Sequence, residues 1–309
     1  MDVKIPKGKL TVVSGVSGSG KTTLLLEALY PSVKAFINGE DLPADVLDLE
    51  CDGIKKIDLI DSVPIGQNVR STVATYSKVL DELRREFAKL TDEYEMSDFS
   101  YNTGKLRCVT CNGTGNVSMD VQFLPDVEMT CPDCDGSRYN KDIEKIRYND
   151  LSLADILGLT VDEALEELFG FDKVTSKLQK LSDLGLGYLT LGEATPSLSG
   201  GEAQRLKLAS EIGKSQKNSV FIFDEPTIGL HPLDVMVLID VFNHLLEKGA
   251  TVIVIEHDLD LIANADYIID IGIDEDNNAG EILACGCLED IINSKQSLTG
   301  KYLSEKKLI

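Results

Sequence analysis

The stretch Lys9–Tyr30, KLTVVSGVSGSGKTTLLLEALY, decides the fold. It opens with β-branched apolar residues, turns to glycine and serine, and ends rich in leucine, so it reads as strand, loop and helix. Gly15, Gly20, Lys21 and Thr22 stand in the GxxxxGK(S/T) spacing of a phosphate-binding P-loop. Glycines let backbone N–H groups come close to an anion, and the helix that follows adds the positive end of its dipole. Gly15, Ser17, Gly18, Ser19 and Gly20, with Lys21, Thr22 and Thr23, are the expected cradle for the phosphates of a nucleotide. Lys21 should reach the β- and γ-phosphates, and the Thr22 hydroxyl should ligate Mg²⁺. A glycine-rich turn with no ligand is the alternative; the complete motif between strand and helix favours the nucleotide.

A partner for this loop lies in SVFIFDEPTIGLHPLD, where a strand of buried type runs directly into Asp224 and Glu225. In a doubly wound sheet such strand ends face the ligand crevice. Asp224 is expected to hold the Mg²⁺ shell, and Glu225 to orient and deprotonate the attacking water. A second strand, ATVIVIEHD, ends in His257, placed to hydrogen-bond a γ-phosphate. A lone histidine is more often structural, but one at a strand end beside a nucleotide is read as functional. His231 and His244 have weaker claims, one in a turn before Pro232 and one on a helix.

The stretch LSGGEAQR, Leu198–Arg205, begins a helix with two adjacent glycines, although glycine weakens helices. Turn chemistry precedes it and an apolar helical pattern follows, so the glycines mark a helix mouth suited to phosphate. One chain therefore carries two phosphate-binding elements.

The chain has 309 residues, 43% of them apolar, enough for one large or two modest cores. No charged leader precedes a long apolar run, and VFIF and TVIVI are too short to span a bilayer, so a cytoplasmic chain with no membrane partner is expected. The net charge of -22 repels phosphate backbones at long range, so any nucleic-acid role must rest on a local basic face.

Two CxxC pairs, Cys108/Cys111 and Cys131/Cys134, lie in CVTCNGTGNVSMDVQFLPDVEMTCPDC. Four thiolates from two tight turns make a closed tetrahedral Zn²⁺ site, structural rather than catalytic. A disulfide framework is the alternative, disfavoured in a cytoplasmic chain. Cys51, Cys285 and Cys287 lack a matching set and read as small apolar residues.

Together the P-loop, the Asp224–Glu225 strand, His257 and the LSGGEAQR signature resemble the ATP-binding cassette (ABC) superfamily. That resemblance implies two cassettes facing head to tail, each nucleotide lying between the P-loop of one and Ser199, Gly200 and Gly201 of the other. Only one copy of each motif occurs here, so a homodimer or pairing with a second cassette is implied.

The cysteine insert narrows the resemblance to the UvrA family of nucleotide excision repair. The blocks IDSVPIGQNVRSTVATY, FSYNTGKLRCVTC, CPDCDGSRYN, LSLADILGLTVDEAL, DEPTIGLHPLD and VIEHDLDLIANADYIIDIG are similar to its second cassette half, in family order. The implied fold is α/β: a P-loop ABC-type nucleotide-binding domain interrupted by an inserted helical signature domain that carries a zinc module. The expected boundaries are 1–60 for the first part of the ATP-binding domain, 61–195 for the insert, with its zinc module at about 105–140, and 196–309 for the signature helix and the second part.

The implied function is an ATPase, without nuclease activity of its own, that couples hydrolysis at composite dimer sites to double-stranded DNA and DNA damage. An ATP-driven protein-interaction switch, as in a paralogue acting in drug resistance, is the alternative. The family's other cassette half, with its UvrB-docking domain, is missing from the sequence, so direct loading of a UvrB-type partner is not expected. Where the family has a glutamine after the central strand, the chain has Ser62, with Gln67 nearby as a substitute nucleotide contact. Lys105, Arg107, Arg138, Lys141, Lys145 and Arg147, with Arg70, Lys78, Arg84, Arg85 and Lys89, are candidate DNA contacts. They alternate with acidic residues, and a charge-mixed solvated face explains them equally well. Phe123 and Leu124 could probe a distorted duplex or merely pack a hairpin.

Overall fold

The computed structural model describes residues 1–61, 65, 68–119, 127–211, 216–228, 230, 232–273 and 279–306. Two compact units divide the chain, Met1–Val63 with Glu211–Ile309, and Pro64–Ser210.

The first unit is built on a six-stranded sheet. In spatial order its strands are Ala279–Gly286, Tyr267–Ile273, Leu10–Gly15, Thr251–Ile255, Ser219–Asp224 and Lys56–Ile60. All neighbours run parallel except the outermost pair, Ala279–Gly286 against Tyr267–Ile273. Thr251–Ile255 is buried at every position, and Leu10–Gly15 and Ser219–Asp224 at all but their last residue, which is why these strands read as unbroken apolar runs. Val13, Ile222, Ile253, Ile255 and Ile271 form the centre of the core. The P-loop strand, the Asp224 strand and the His257 strand are adjacent and parallel, so their C-terminal ends share one edge of the sheet. After the P-loop the helix is wound as a wider π-helix over Thr23–Leu29 and becomes an α-helix over Tyr30–Asn38. Gly39, with φ 72°, ends it.

The second unit is mostly helical. Its helices include Val79–Ala88 and Val161–Glu167. Each packs on Asp172–Asp183. Thr72, Ser152 and Thr160 start their helices with reciprocal capping boxes. Leu83, Phe87, Phe99, Val174, Leu178 and Leu181 are fully buried. A short antiparallel hairpin, Asn116–Met119 with Val127–Thr130, stands between the two cysteine pairs. The signature helix runs Gly200–Glu211 and lies in this unit up to Ser210. No helix among the described residues is long and apolar enough to cross a membrane.

Candidate functional site

At the P-loop the backbone requires glycine. Gly15 has φ 137°, and a Cβ there would lie 1.9 Å from the Ile271 carbonyl oxygen; Gly18 and Gly20 also have positive φ. Lys21 is 5% exposed, and its Nζ donates to the carbonyls of Gly15 (3.0 Å) and Val16 (2.9 Å). Burial lowers its pKa, and the charges of Glu225 and Asp270 oppose that shift. Ser17, Gly18, Thr22 and Thr23 are exposed, so their amides and hydroxyls are open to a ligand. Ser19 is fully buried, its hydroxyl without a partner.

Across the sheet, burial pushes the Asp224 carboxyl up, and the negative charges of Glu225, Asp61 and Glu256 add to the effect. The Asp224 carboxylate and the exposed Thr22 hydroxyl are the oxygen donors Mg²⁺ prefers. Glu225 has φ 47°, a strained setting for a non-glycine residue and one frequent at reaction centres. Its Oε1 lies 3.3 Å from Nε2 of His257. The sheet thus brings Lys21, Asp224, Glu225 and His257 to one edge.

Two buried carboxylates here escaped the sequence reading. Glu256, 2% exposed, accepts the Thr227 amide at 2.8 Å on one oxygen, and the His257 (2.7 Å) and Asp258 (3.1 Å) amides on the other. It ties the turn after Glu225 to the turn that carries His257. Among the described residues, the Asp270 carboxylate accepts only hydroxyls, from Ser14, Ser297 and Thr299.

In the second unit, Glu202 closes a capping box on the signature helix. Its carboxylate accepts the Ser199 amide at 2.6 Å and the Tyr188 hydroxyl at 2.5 Å, and the Glu202 amide reaches Ser199 Oγ at 3.4 Å. Gly200 has no positive φ, and a Cβ there meets nothing within 4 Å. The unit's own packing does not demand glycine at 200, so the open space beside it is free for an approaching group.

The four cysteine sulfurs all lie within 4.8 Å of one another, with Cys108–Cys131 at 3.9 Å and Cys111–Cys134 at 3.7 Å. A tetrahedron of Zn–S bonds near 2.3 Å has S···S edges of about 3.8 Å, so the donor set and its spacing fit zinc. The Gly115 amide points at Cys111 Sγ (3.3 Å). Burial raises the Cys111 thiol, yet this amide, the neighbouring thiols and a second amide outweigh it and bring the pKa down to about 7. Gly113, with φ 78° and a would-be Cβ 1.8 Å from the Tyr101 carbonyl oxygen, shows why glycine follows the first pair. All seven cysteines are unpaired by disulfides. Cys51 is buried as expected of a small apolar residue, whereas Cys285 and Cys287 are exposed.

Most of the candidate DNA contacts are engaged within the unit. Arg84, Arg85, Lys89, Lys105, Lys145 and Arg147 pair with Asp81, Glu82, Glu86, Asp98, Asp142 and Glu144. Arg107 donates to the Asn102 carbonyl, and Arg138, buried over the Tyr101 ring, to the Val69 and Gly113 carbonyls. Lys78 and Lys141 are exposed. Arg70 holds the Asn112 carbonyl and lines an open polar depression of about 460 Å³ with Asn68, Ser71, Thr75, Tyr76 and Asn102. Ser62, Gln67, Phe123, Leu124 and His231 lie outside the described residues.

A largely parallel sheet with a P-loop, an Asp–Glu strand end and a histidine beside it, in a chain whose second unit carries the LSGGEAQR helix and a four-cysteine module, has the fold of an ATP-binding cassette. Within that class the chain is UvrA-like. It is 46% identical over 313 residues to the UvrABC system protein A of Staphylococcus aureus strain COL, covering 99% of this chain and 33% of that protein. With the protein of the same name from Staphylococcus epidermidis strain ATCC 35984 it shares 44% identity over 311 residues, 98% of this chain and 33% of that protein. The crystal structure of UvrA2 from Deinococcus radiodurans superposes with a TM-score of 0.87 at 38% identity, covering 99% of this chain and 38% of that one. The chain thus spans about a third of the length of the curated relatives it matches. No protein-family model matches it.

Proposed function

We propose that the chain is a UvrA-like cassette that binds and hydrolyses MgATP at composite sites shared with a second cassette, and couples turnover to duplex DNA in nucleotide excision repair. The observation that carries this reading is the single sheet edge bearing Lys21, Asp224, Glu225 and His257. In it, the P-loop amides and Lys21 would bind the phosphates, and Thr22 and Asp224 would hold Mg²⁺, which would supply positive charge to offset that of the phosphates. Glu225 takes a proton from the attacking water at its carboxylate, and His257, beside it, donates a hydrogen bond toward the γ-phosphate. Glu256 holds the two turns in place. The open face at Gly200 supports a signature helix that meets the nucleotide of another cassette, in a homodimer or in a sister polypeptide. A closed four-cysteine site supports structural zinc.

The pairing of so many cations inside the second unit favours a second reading, an ATP-driven switch whose zinc-bearing unit docks a protein. ATPase rate and molecular mass, measured with and without damaged duplex at two salt concentrations, separate the two. A DNA-coupled ATPase shows a rate change with duplex, and DNA affinity falls as salt rises. If duplex alters neither mass nor rate at low salt, the protein-docking reading stands and the DNA reading falls.

A further inference from the structure

Asp270 is 1% exposed and lies in the strand next to the P-loop strand. Its Oδ1 accepts Ser14 Oγ at 2.9 Å and Thr299 Oγ1 at 2.7 Å, and its Oδ2 accepts Ser297 Oγ at 2.5 Å. A carboxylate this deep is costly unless hydrogen bonds satisfy it, and hydroxyls from distant parts of the chain do so here. Ser14 is the register partner of Asp270, and Gly15 of Ile271. With no room for a Cβ between Gly15 and the Ile271 carbonyl, the root of the P-loop is fitted tightly against this strand. The other two hydroxyls belong to the helix Leu298–Glu305, Ser297 as its N-cap and Thr299 in its first turn. One carboxylate therefore joins the base of the P-loop to the last helix of the described chain.

We propose that Asp270, Ser297 and Thr299 are positioning residues for nucleotide binding: the helix Leu298–Glu305 clamps Asp270, and Asp270 in turn fixes Ser14 and the loop geometry at Gly15. The proposal rests on the P-loop reading above. The negative charge of Asp270 also supports the charged form of the Lys21 ammonium against its burial. The turns carrying Glu225 and His257 are tied to each other by Glu256, which accepts the Thr227 and His257 amides, so the clamp is expected to act mainly on phosphate binding.

Thr299→Val tests it, because the change removes one hydroxyl at nearly constant volume and spares the cap that Ser297 makes with the Gly300 amide at 2.8 Å. Binding of a fluorescent N-methylanthraniloyl ATP is read on the full chain, beside kcat at saturating ATP and the thermal midpoint. Thr299→Val should weaken nucleotide binding about tenfold, the loss of one hydrogen bond to a charged group, with kcat changed less than about threefold. Thr299→Ser should restore wild-type affinity, and Asp270→Asn should weaken binding more than Thr299→Val. A lower thermal midpoint with unchanged affinity in Thr299→Val makes the contact purely structural and overturns the proposal. If Asp270→Asn does not fold, the Thr299 pair still decides. A wild-type chain that fails to bind the nucleotide at all overturns the P-loop reading itself, and the proposal with it.

Discussion

Glu225→Gln is expected to slow ATP turnover about 10²–10⁴-fold, the usual worth of a positioned general base, while the nucleotide still binds. Glutamine keeps the size of the side chain and can still hydrogen-bond His257 Nε2, 3.3 Å away, but cannot take the proton of an attacking water. Lys21 and the P-loop amides are untouched, so affinity for fluorescent ATP should stay within about threefold of wild type, whereas Lys21→Ala should lose binding and turnover together. Single-turnover hydrolysis and equilibrium binding on the same preparations check this. Turnover within about threefold of wild type in Glu225→Gln would remove Glu225 from the role of base.

The second large effect concerns the four-cysteine cluster. Structural zinc contributes about 10–16 kcal/mol to the folding of small zinc modules, because the site does not exist in the unfolded chain. Cys131 is fully buried, with its sulfur 3.9 Å from that of Cys108. Cys131→Ser should therefore drop the bound zinc from about one per chain to near zero, as measured by elemental analysis. It should also open the segment around residues 105–140 to limited proteolysis. The nucleotide sheet has its own core in the other unit, so affinity for ATP should change little. Full zinc occupancy in Cys131→Ser would mean that the four cysteines do not act as one site.

What was legible in the sequence is what short spacing dictates. The P-loop, the buried strand before Asp224 and the two CxxC pairs each fix their chemistry within a few residues, and the sheet and sulfur cluster follow from them. The basic residues were only half legible: the sequence left DNA contact and a charge-mixed face equally open, and the structure pairs Asp81–Arg84, Glu82–Arg85 and Glu86–Lys89 at the three-residue spacing at which neighbours on one helix meet. Glu256 and Asp270 were not legible. Each matters through donors that the fold alone brings in, Thr227 to one, Ser14 and Ser297 to the other, across separations of 29, 256 and 27 residues. The positive φ of Glu225 and the π-helical turns after the P-loop are likewise products of packing and carry no sequence signal.

Shared catalysis between two cassettes is the central claim, and mixing two inactive variants tests it most directly. Lys21→Ala disables a P-loop, and Gly200→Glu places a bulky anion at a helix mouth where a Cβ meets nothing within 4 Å, so the second unit should still fold. Each variant alone should be inactive. Equal mixing with free exchange should restore about a quarter of wild-type turnover, since half the two-fold dimers would be mixed and each would hold one intact site. A mixture no more active than its parts, or Gly200→Glu turning over ATP at the wild-type rate, would contradict it.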